Sequence, residues 1–245
     1  MEAEPYSKIF KSIDMRWCDV LINIGWIESN DMRRDTGLII ALDETDVTKA
    51  LKTAEAVSSN VDAIKINWPL VLSAGPDMIT QLSQFSDVIC DFKVADIPNT
   101  VRLIVEEAVS RKASGIIVHA FTGEDSLKEA VSAAGKADIF AVTEMSHPGG
   151  AMFTALHAEE MAEMGVRCGV AGFIAPATRP ERVKVIRNII GDLKILSPGV
   201  GAQGGSASSA ISAGADYVIV GRTIYGAKDP AREAAAIRNE IRPFL

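Results

Sequence analysis

Two patterns of apolar positions alternate along this chain from Gly37 onward. Short runs rich in branched apolar residues, typical of buried strands, are separated by longer segments whose apolar residues recur at helical spacing. One of these segments, PERVKVIRNIIG, has Pro180 at its start and Gly191 at its end, as expected for a helix. The eight predicted strands are GLIIAL from Gly37, AIKI from Ala63, VICDF from Val88, GIIVHA from Gly115, DIFAVT from Asp138, AGFIA from Ala171, KILSP from Lys194 and DYVIVG from Asp216.

Eight strand–helix units predict an α/β protein in which residues 37–245 form a single (β/α)8 TIM-barrel domain. A doubly wound open sheet also alternates strands with helices, but such sheets usually have fewer strands. Polar residues follow many different strands in this chain, and this favours the closed barrel. Residues 1–36 do not fit the repeat, and we interpret them as an N-terminal extension.

Composition limits the partners that this chain can have. Of its 245 residues 48% are hydrophobic, the net charge is −7, and Lys/Arg runs are never longer than a pair. This charge pattern does not suit nucleic acid, so an anionic ligand has to be held in a local pocket. Cys18, Cys90 and Cys168 lie far apart and form no CxxC motif, which is typical of reduced thiols. We therefore expect a cytoplasmic protein with no nucleic-acid or membrane partner.

Charged residues mark the ends of the first three predicted strands. Asp43 ends the first strand, Lys65 the second, and Asp91 and Lys93 the third, with Asp96 in the loop that follows. The carboxyl ends of barrel strands meet at one mouth, where active sites form. Asp91 and Lys93 are two residues apart, so strand alternation turns both towards that mouth. A lone pair of this kind is more often structural, but the whole group favours catalysis. Its lysines disfavour a bound cation, so we predict no metal.

A second candidate site follows the seventh and eighth predicted strands. The glycine-rich stretch SPGVGAQGG runs from Ser197 to Gly205, and Gly221-Arg222 ends the eighth strand. Loops at these two positions form the common phosphate site of this fold, because glycine lets backbone N–H groups approach the anion. A glycine-rich turn alone is more often only a turn. Together with the Arg222 guanidinium it predicts phosphate binding.

Two histidine-containing segments leave alternatives open. TEMSHPGG follows the fifth strand, and its Ser146 can hydrogen-bond a polar ring, whereas we give His147 no catalytic role. His119 ends the fourth strand and either lines the site or orients a neighbouring residue.

Five strings, taken in order, resemble a known family. IKINWP, DFKVADIP, TEMSHPG, LSPGVGAQGG and VGRTIY, between about Gly37 and Tyr225, are similar to the orotidine 5'-monophosphate decarboxylase family, especially its archaeal members. The D-x-K-x-x-D pattern alone is less specific, because related barrel enzymes that act on sugar phosphates share it. The departures are the N-terminal extension and Ser206-Ala207, where archaeal relatives often continue with an acidic residue and proline.

The resemblance implies a homodimeric barrel that decarboxylates orotidine 5'-monophosphate to uridine 5'-monophosphate, in pyrimidine biosynthesis, without metal or cofactor. By matching position, Lys93 resembles the proton donor to carbon 6 of the pyrimidine, and Asp91 lies beside the scissile carboxylate. Lys65 completes the charge network, and Asp96 is contributed across the dimer interface. The substrate contacts implied in the same way are Asp43, Ile97, Thr100, Ser146, Pro198, Gly199, Val200, Gly201, Ala202, Gln203, Gly204, Gly205, Gly221 and Arg222.

Two other functions compete with this interpretation. A metal-dependent sugar-phosphate decarboxylase or aldolase of the same superfamily would share Asp91, Lys93 and Asp96, and it would lose activity in the presence of a chelator. A non-catalytic barrel that only binds a phosphate ligand would have no reason to keep a cluster of like charges.

Overall fold

The computed structural model of the protein describes residues 32–245. The predicted extension, residues 1–36, lies outside this range except for residues 32–36, and its boundary at residue 37 stays a prediction. All eight predicted strands form, each starting within one residue of its predicted start. They are β1 (Leu38–Leu42), β2 (Ala63–Ile66), β3 (Asp87–Val94), β4 (Gly115–His119), β5 (Asp138–Val142), β6 (Gly172–Ile174), β7 (Lys194–Pro198) and β8 (Tyr217–Val220).

The strands pair in sequence order, all parallel, and β8 pairs with β1 to close the barrel. This arrangement confirms the predicted (β/α)8 barrel. Helices connect successive strands along its outside. They are α1 (Val47–Val57), α2 (Trp68–Ala74), α3 (Met78–Leu82), α4 (Pro98–Ser110), α5 (Glu124–Ala134), α6 (Ala158–Cys168), α7 (Pro180–Ile190), α8 (Ala207–Ser212), α9 (Arg222–Tyr225) and α10 (Pro230–Ile241). Short 3-10 helices span Ser58–Asn60, Ala120–Thr122, Pro148–Ala151, Thr154–His157 and Arg242–Phe244.

Helix ends follow the local chemistry of the sequence. The Asp46 side chain accepts a hydrogen bond from the Lys49 N–H and caps α1. In α7, Pro180 occupies the first turn and Gly191 ends the helix with a φ of +61°. The predicted punctuation of this segment is therefore confirmed.

Side-chain alternation along the strands divides the core into two layers. In β1, Leu38 and Ile40 pack outward against the helices, whereas Ile39 and Ala41 point into the barrel. Large side chains such as Phe140 and Tyr217 fill this interior. The barrel is therefore a packed core, and a ligand can enter only at its ends.

The structure gives findings on two further features, membrane-spanning helices and cysteines. Between residues 32 and 245 no helix has the length and apolar character needed to cross a membrane. Cys90 and Cys168 are buried free thiols, whereas Cys18 lies outside the described residues. Burial and the nearby Asp91 carboxylate raise the pKa of the Cys90 thiol to about 12, so this thiol stays protonated and unreactive.

Candidate active site

A cavity of about 620 Å³ opens at the carboxyl ends of the barrel strands. Its volume lies within the range of roughly 300–1,000 Å³ found for small-molecule sites. All eight strands, or the loops after them, contribute to its wall. The predicted site residues that line it are Asp43, Lys65, Asp91, Lys93, Ser146, Pro198, Gly199, Val200, Ala202, Gln203, Gly221 and Arg222.

Three charged side chains are linked on one side of this cavity. Lys65 Nζ donates to Asp91 Oδ2 at 2.7 Å, and Lys93 Nζ donates to Asp91 Oδ1 at 2.7 Å. Lys65 and Asp91 are each only 5% exposed, whereas Lys93 is half-buried. Burial raises the pKa of the Asp91 carboxyl, but the two ammonium groups outweigh that effect and hold the pKa below its usual value. Asp91 is therefore an ionised carboxylate between two cations.

The strand that carries Asp91 and Lys93 is irregular where the two residues meet the cavity. β3 pairs with β4 at Cys90 and again at Val94, with a shift in register between them. Cys90 and Phe92 pack towards the helices, as predicted from strand alternation. Lys93, however, has a φ of +45°, which an extended strand does not have. The predicted common face of Asp91 and Lys93 therefore forms through a bulge and not through regular pleating.

The loop after β7 is shaped by glycine. Gly199, Gly201 and Gly204 have φ values of +102°, +71° and +92°, a region that side chains disfavour. Gly205 passes so close to this turn that an added Cβ would lie 2.7 Å from the Gly199 carbonyl oxygen. Backbone hydrogen bonds close the loop on itself, including Gly204 N to the Gly201 oxygen at 2.7 Å. Gly201, Gly204 and Gly205 thus form the loop without lining the cavity.

The loops after β5 and β7 meet across the cavity. The Ser146 hydroxyl donates to Gln203 Oε1 at 2.9 Å, which joins two residues predicted to contact the ligand. The Thr178 hydroxyl, from the loop after β6, donates to the Ser146 carbonyl at 3.0 Å. Three successive loops are therefore coupled, with the exposed Arg222 at the same end of the cavity.

Asp43 supplies an acceptor that the described part of the chain does not satisfy. Its Oδ1 atom is buried without a hydrogen-bond partner among residues 32–245. Burial and the charge of Asp43 raise the pKa of the neighbouring Tyr225 phenol, which lines the same cavity. An unsatisfied buried carboxylate oxygen in a cavity wall suits a ligand hydroxyl.

Three further predicted site residues, in the loop after β3 and at the start of α4, also lie outside the cavity of this chain. Asp96 is exposed, and its Oδ1 accepts a hydrogen bond from the Ile97 N–H at 2.7 Å. Ile97 is 65% exposed, and Thr100 lies in the first turn of α4. These residues follow β3 at the carboxyl end of the barrel, and none of them lines the cavity of its own chain.

Several cavity residues were not predicted as site residues, among them His147, which was considered and given no catalytic role. They are Asn67, Met145, His147, Pro148 and Tyr225, together with apolar residues of the barrel interior. Asn67 and Tyr225 belong to the strings IKINWP and VGRTIY, and Asn67 comes directly after β2. The rule that strand ends carry site residues could therefore have found Asn67.

A buried ion-pair network beside the cavity was also missed. Glu144 is 1% exposed, and its two carboxylate oxygens accept from Arg179 Nε at 2.7 Å and from Arg182 Nε at 2.9 Å. Arg179 also donates to the Met145 carbonyl. This network fixes the loop that carries Ser146 to α7. A glutamate next to an apolar strand was the only sequence signal for it.

His119 does not line the cavity. Burial lowers the pKa of its imidazole, and the nearby charge of Lys93 lowers it further. Its Nδ1 atom is buried and has no hydrogen-bond partner among residues 32–245. Its position therefore argues against the first of its two predicted roles, lining the site.

Taken together, the cavity has two chemically distinct ends. One end holds fixed charges of alternating sign, able to stabilise a developing carbanion and to supply a proton. The other end offers glycine backbone, an amide and a guanidinium, a set suited to phosphate.

Proteins named orotidine 5'-phosphate decarboxylase match most of the chain. It is 56% identical over 217 residues to the orotidine 5'-phosphate decarboxylase of Methanosarcina mazei, covering 87% of this chain and 99% of that protein. It is 54% identical over 213 residues to the protein of the same name from Methanococcoides burtonii, covering 86% of this chain and 99% of the relative.

Solved structures of orotidine 5'-monophosphate decarboxylases also match this chain. The orotidine 5'-monophosphate decarboxylase of Methanocaldococcus jannaschii in complex with the inhibitor BMP superposes with a TM-score of 0.80 at 43% identity, over 83% of this chain and 97% of that one. The corresponding enzyme of Pyrococcus horikoshii gives a TM-score of 0.79 at 43% identity, over 84% and 99%. The model of the orotidine 5'-phosphate decarboxylase / HUMPS family matches residues 36–237. The resemblance predicted from the five strings is therefore confirmed, and the chain belongs to this family.

Proposed function

We propose that this protein decarboxylates orotidine 5'-monophosphate to uridine 5'-monophosphate, the activity for which its relatives are named. The observation that carries the proposal is the linked group Lys65–Asp91–Lys93, in which one buried carboxylate lies between two ammonium groups. The phosphate end of the same cavity suits a nucleotide.

The reaction places a specific demand on this group. When the bond between carbon 6 and its carboxylate breaks, the electron pair stays in an orbital in the plane of the ring, where the π system cannot delocalise it. Fixed charges can stabilise that carbanion with little reorganisation. We assign Lys93 as the residue that does so and then transfers an Nζ proton to carbon 6, as carbon dioxide leaves. Solvent returns a proton to the Lys93 amine after product release.

Asp91 has two roles in this scheme. Its low pKa keeps it ionised, so it holds both ammonium groups in place. Beside the scissile carboxylate it also provides a like charge, whose repulsion is relieved as carbon dioxide departs. Lys65 offsets the negative charge of Asp91, because its Nζ donates to the other carboxylate oxygen, Oδ2, at 2.7 Å.

We further propose that the reaction uses neither metal nor cofactor. Both Asp91 oxygens accept hydrogen bonds from ammonium groups, so a cation would have to displace one of them. This bonding argues against the metal-dependent sugar-phosphate enzyme as the alternative.

The remaining predicted residues fit a nucleotide laid across the cavity. We assign the unsatisfied Asp43 oxygen to a ribose hydroxyl and the Ser146–Gln203 pair to the region between pyrimidine and phosphate. Arg222 and the backbone of residues 198–205 then hold the phosphate. The energy of phosphate binding can be used to order this loop over the substrate.

We also propose a homodimer in which Asp96, Ile97 and Thr100 enter the partner's cavity. Their position outside the cavity of their own chain supports this assignment. Exposed apolar side chains occupy the same side of the mouth, in the loops after β3, β4 and β5, as expected for an interface. They are Ile97, Phe121, Met152, Phe153 and Leu156.

The decisive experiment follows the absorbance of orotidine 5'-monophosphate with purified protein in the presence of excess chelator. The proposal predicts turnover at the same rate with and without chelator, and uridine 5'-monophosphate as product. Turnover that is lost on chelation would contradict the proposal that the reaction uses no metal. No turnover in either condition, with retained nucleotide binding, would support the non-catalytic barrel.

A further inference from the structure

The backbone of Lys93 is held in an unusual conformation. Its φ of +45° lies in the left-handed region, which residues with a side chain rarely occupy without support from their surroundings. Pairing of β3 with β2 ends at Cys90, and its pairing with β4 resumes only at Val94. Lys93 therefore has no paired residue in either neighbouring strand, β2 or β4.

The Trp68 side chain, which lies outside the cavity, contacts this segment. The Trp68 indole N–H donates to the carbonyl of Phe92, the peptide group that joins Phe92 to Lys93, at 3.1 Å. The indole also stacks on the Phe92 ring, with centroids 4.7 Å apart and 26° between the planes. Trp68 thus holds both the backbone and the side chain of the residue before Lys93.

Trp68 is itself fixed by the start of α2. The Asn67 side chain accepts a hydrogen bond from the Trp68 N–H at 2.7 Å, and Pro69 stiffens the first turn. This turn follows β2 two residues after Lys65. Trp68 therefore lies three residues after Lys65 in the chain and contacts the residue next to Lys93, the other lysine that bonds Asp91.

We propose that Trp68 is a positioning residue for Lys93: its indole holds the Phe92–Lys93 peptide in the orientation that directs the Lys93 ammonium at Asp91 and the reacting carbon. This inference rests on the proposed function, which makes Lys93 the proton donor. Trp68 does not line the cavity, so it acts through Lys93 and does not touch substrate.

A role in packing alone explains Trp68 less well. The side chain is 44% exposed, so it buries less surface than a core tryptophan would. Its only polar atom is directed at a backbone carbonyl beside the proposed proton donor. Ring stacking holds the Phe92 side chain and the hydrogen bond holds its carbonyl, so both contacts restrain the residue before Lys93.

The test is Trp68→Phe, which keeps an aromatic ring to stack on Phe92 and removes the donor. We expect kcat to fall about 10-fold with KM within about 2-fold, because misplacement of the proton donor affects the chemical step. Trp68→Ala, which also removes the stacking, should lower kcat further. Leu72→Ala, an exposed change on the same helix, is the matched control and should leave both constants unchanged.

Two readouts separate positioning from general stability. Rates are expressed per active site, titrated with a tight-binding product analogue, and a crystal structure of Trp68→Phe gives the φ of Lys93. A lower melting temperature with unchanged kcat per site, or a Lys93 φ that stays near its original value, would overturn the inference. Failure of the proposed function is seen separately, as an inactive wild type or a fully active Lys93→Ala. In that case the φ of Lys93 in Trp68→Phe still decides whether Trp68 holds this peptide.

Discussion

The two ends of the cavity are built in opposite ways. At the reaction end, Lys65 and Asp91 extend from paired strands, are almost fully buried, and bond each other through side chains. At the phosphate end, the loop after β7 uses glycine and backbone groups, and Arg222 is exposed. Under the proposed function, the chemistry would rely on groups fixed before substrate arrives, whereas binding would rely on a glycine-rich loop and an exposed side chain that can adjust to the phosphate.

This comparison predicts the largest effect at Lys93. Lys93→Ala removes the proposed proton donor and one of the two cations beside Asp91. We expect kcat to fall about 10⁴-fold, the upper range for loss of an acid–base group. Affinity for a product analogue, measured by calorimetry, should remain measurable because the phosphate end is intact.

Lys112 provides a matched control for this change. It is an exposed lysine that also has a positive φ, +70°, and it lies just before β4, at the end of the barrel opposite the cavity. Lys112→Ala should keep kcat within about 2-fold of the wild type. Equal activity of the two variants would remove Lys93 from the chemical step.

The next prediction concerns Asp96 and the proposed dimer interface. Lys93→Ala and Asp96→Ala, co-expressed with different tags and purified through both, give a dimer with one variant chain of each kind. If Asp96 enters the partner's cavity, one of the two sites contains only unchanged residues, and about half of the wild-type kcat returns. Both variants alone should be nearly inactive.

A heterodimer no more active than its two parents would place Asp96 in the site of its own chain. The homodimer would then no longer be needed to complete the site.

A smaller effect, of a different kind, is expected at the phosphate end. Arg222→Ala removes a charged fork from the ligand phosphate, and KM should rise about 10- to 100-fold, the range for loss of charge-assisted hydrogen bonds. The loss of kcat should be far smaller than in Lys93→Ala. Steady-state kinetics with the exposed change Arg242→Ala as control measures both constants.

If Arg222→Ala instead lowered kcat as much as Lys93→Ala does, the two ends would not be separable. Phosphate binding would then be as tightly coupled to chemistry as the charge network itself.

Local patterns were sufficient to predict most of the fold. Strands and helices depend on residues close together in sequence, so the apolar runs and helix punctuation located all eight strands. The residues that follow strand ends could also be assigned to one mouth, because the topology of a parallel barrel brings them together.

What could not be predicted depends on contacts between distant residues. Glu144 meets Arg179 and Arg182 across 35 and 38 residues, and no local pattern pairs them. Trp68 and Phe92 are likewise 24 residues apart. The bulge at Lys93 was missed because alternation assumes a regular strand, whereas the pairing of β3 with β4 shifts in register between Cys90 and Val94.

Chemical rescue examines whether the ammonium group at position 93 performs the chemistry, as proposed. Lys93→Cys should be nearly inactive, and alkylation with bromoethylamine converts the new thiol into a close analogue of lysine. We expect kcat to recover to at least about one tenth of the wild-type value, with alkylated wild type as the control. If the alkylated variant binds a product analogue normally but stays inactive, an ammonium group at position 93 is not sufficient for the chemistry, and Lys93 is not the proton donor.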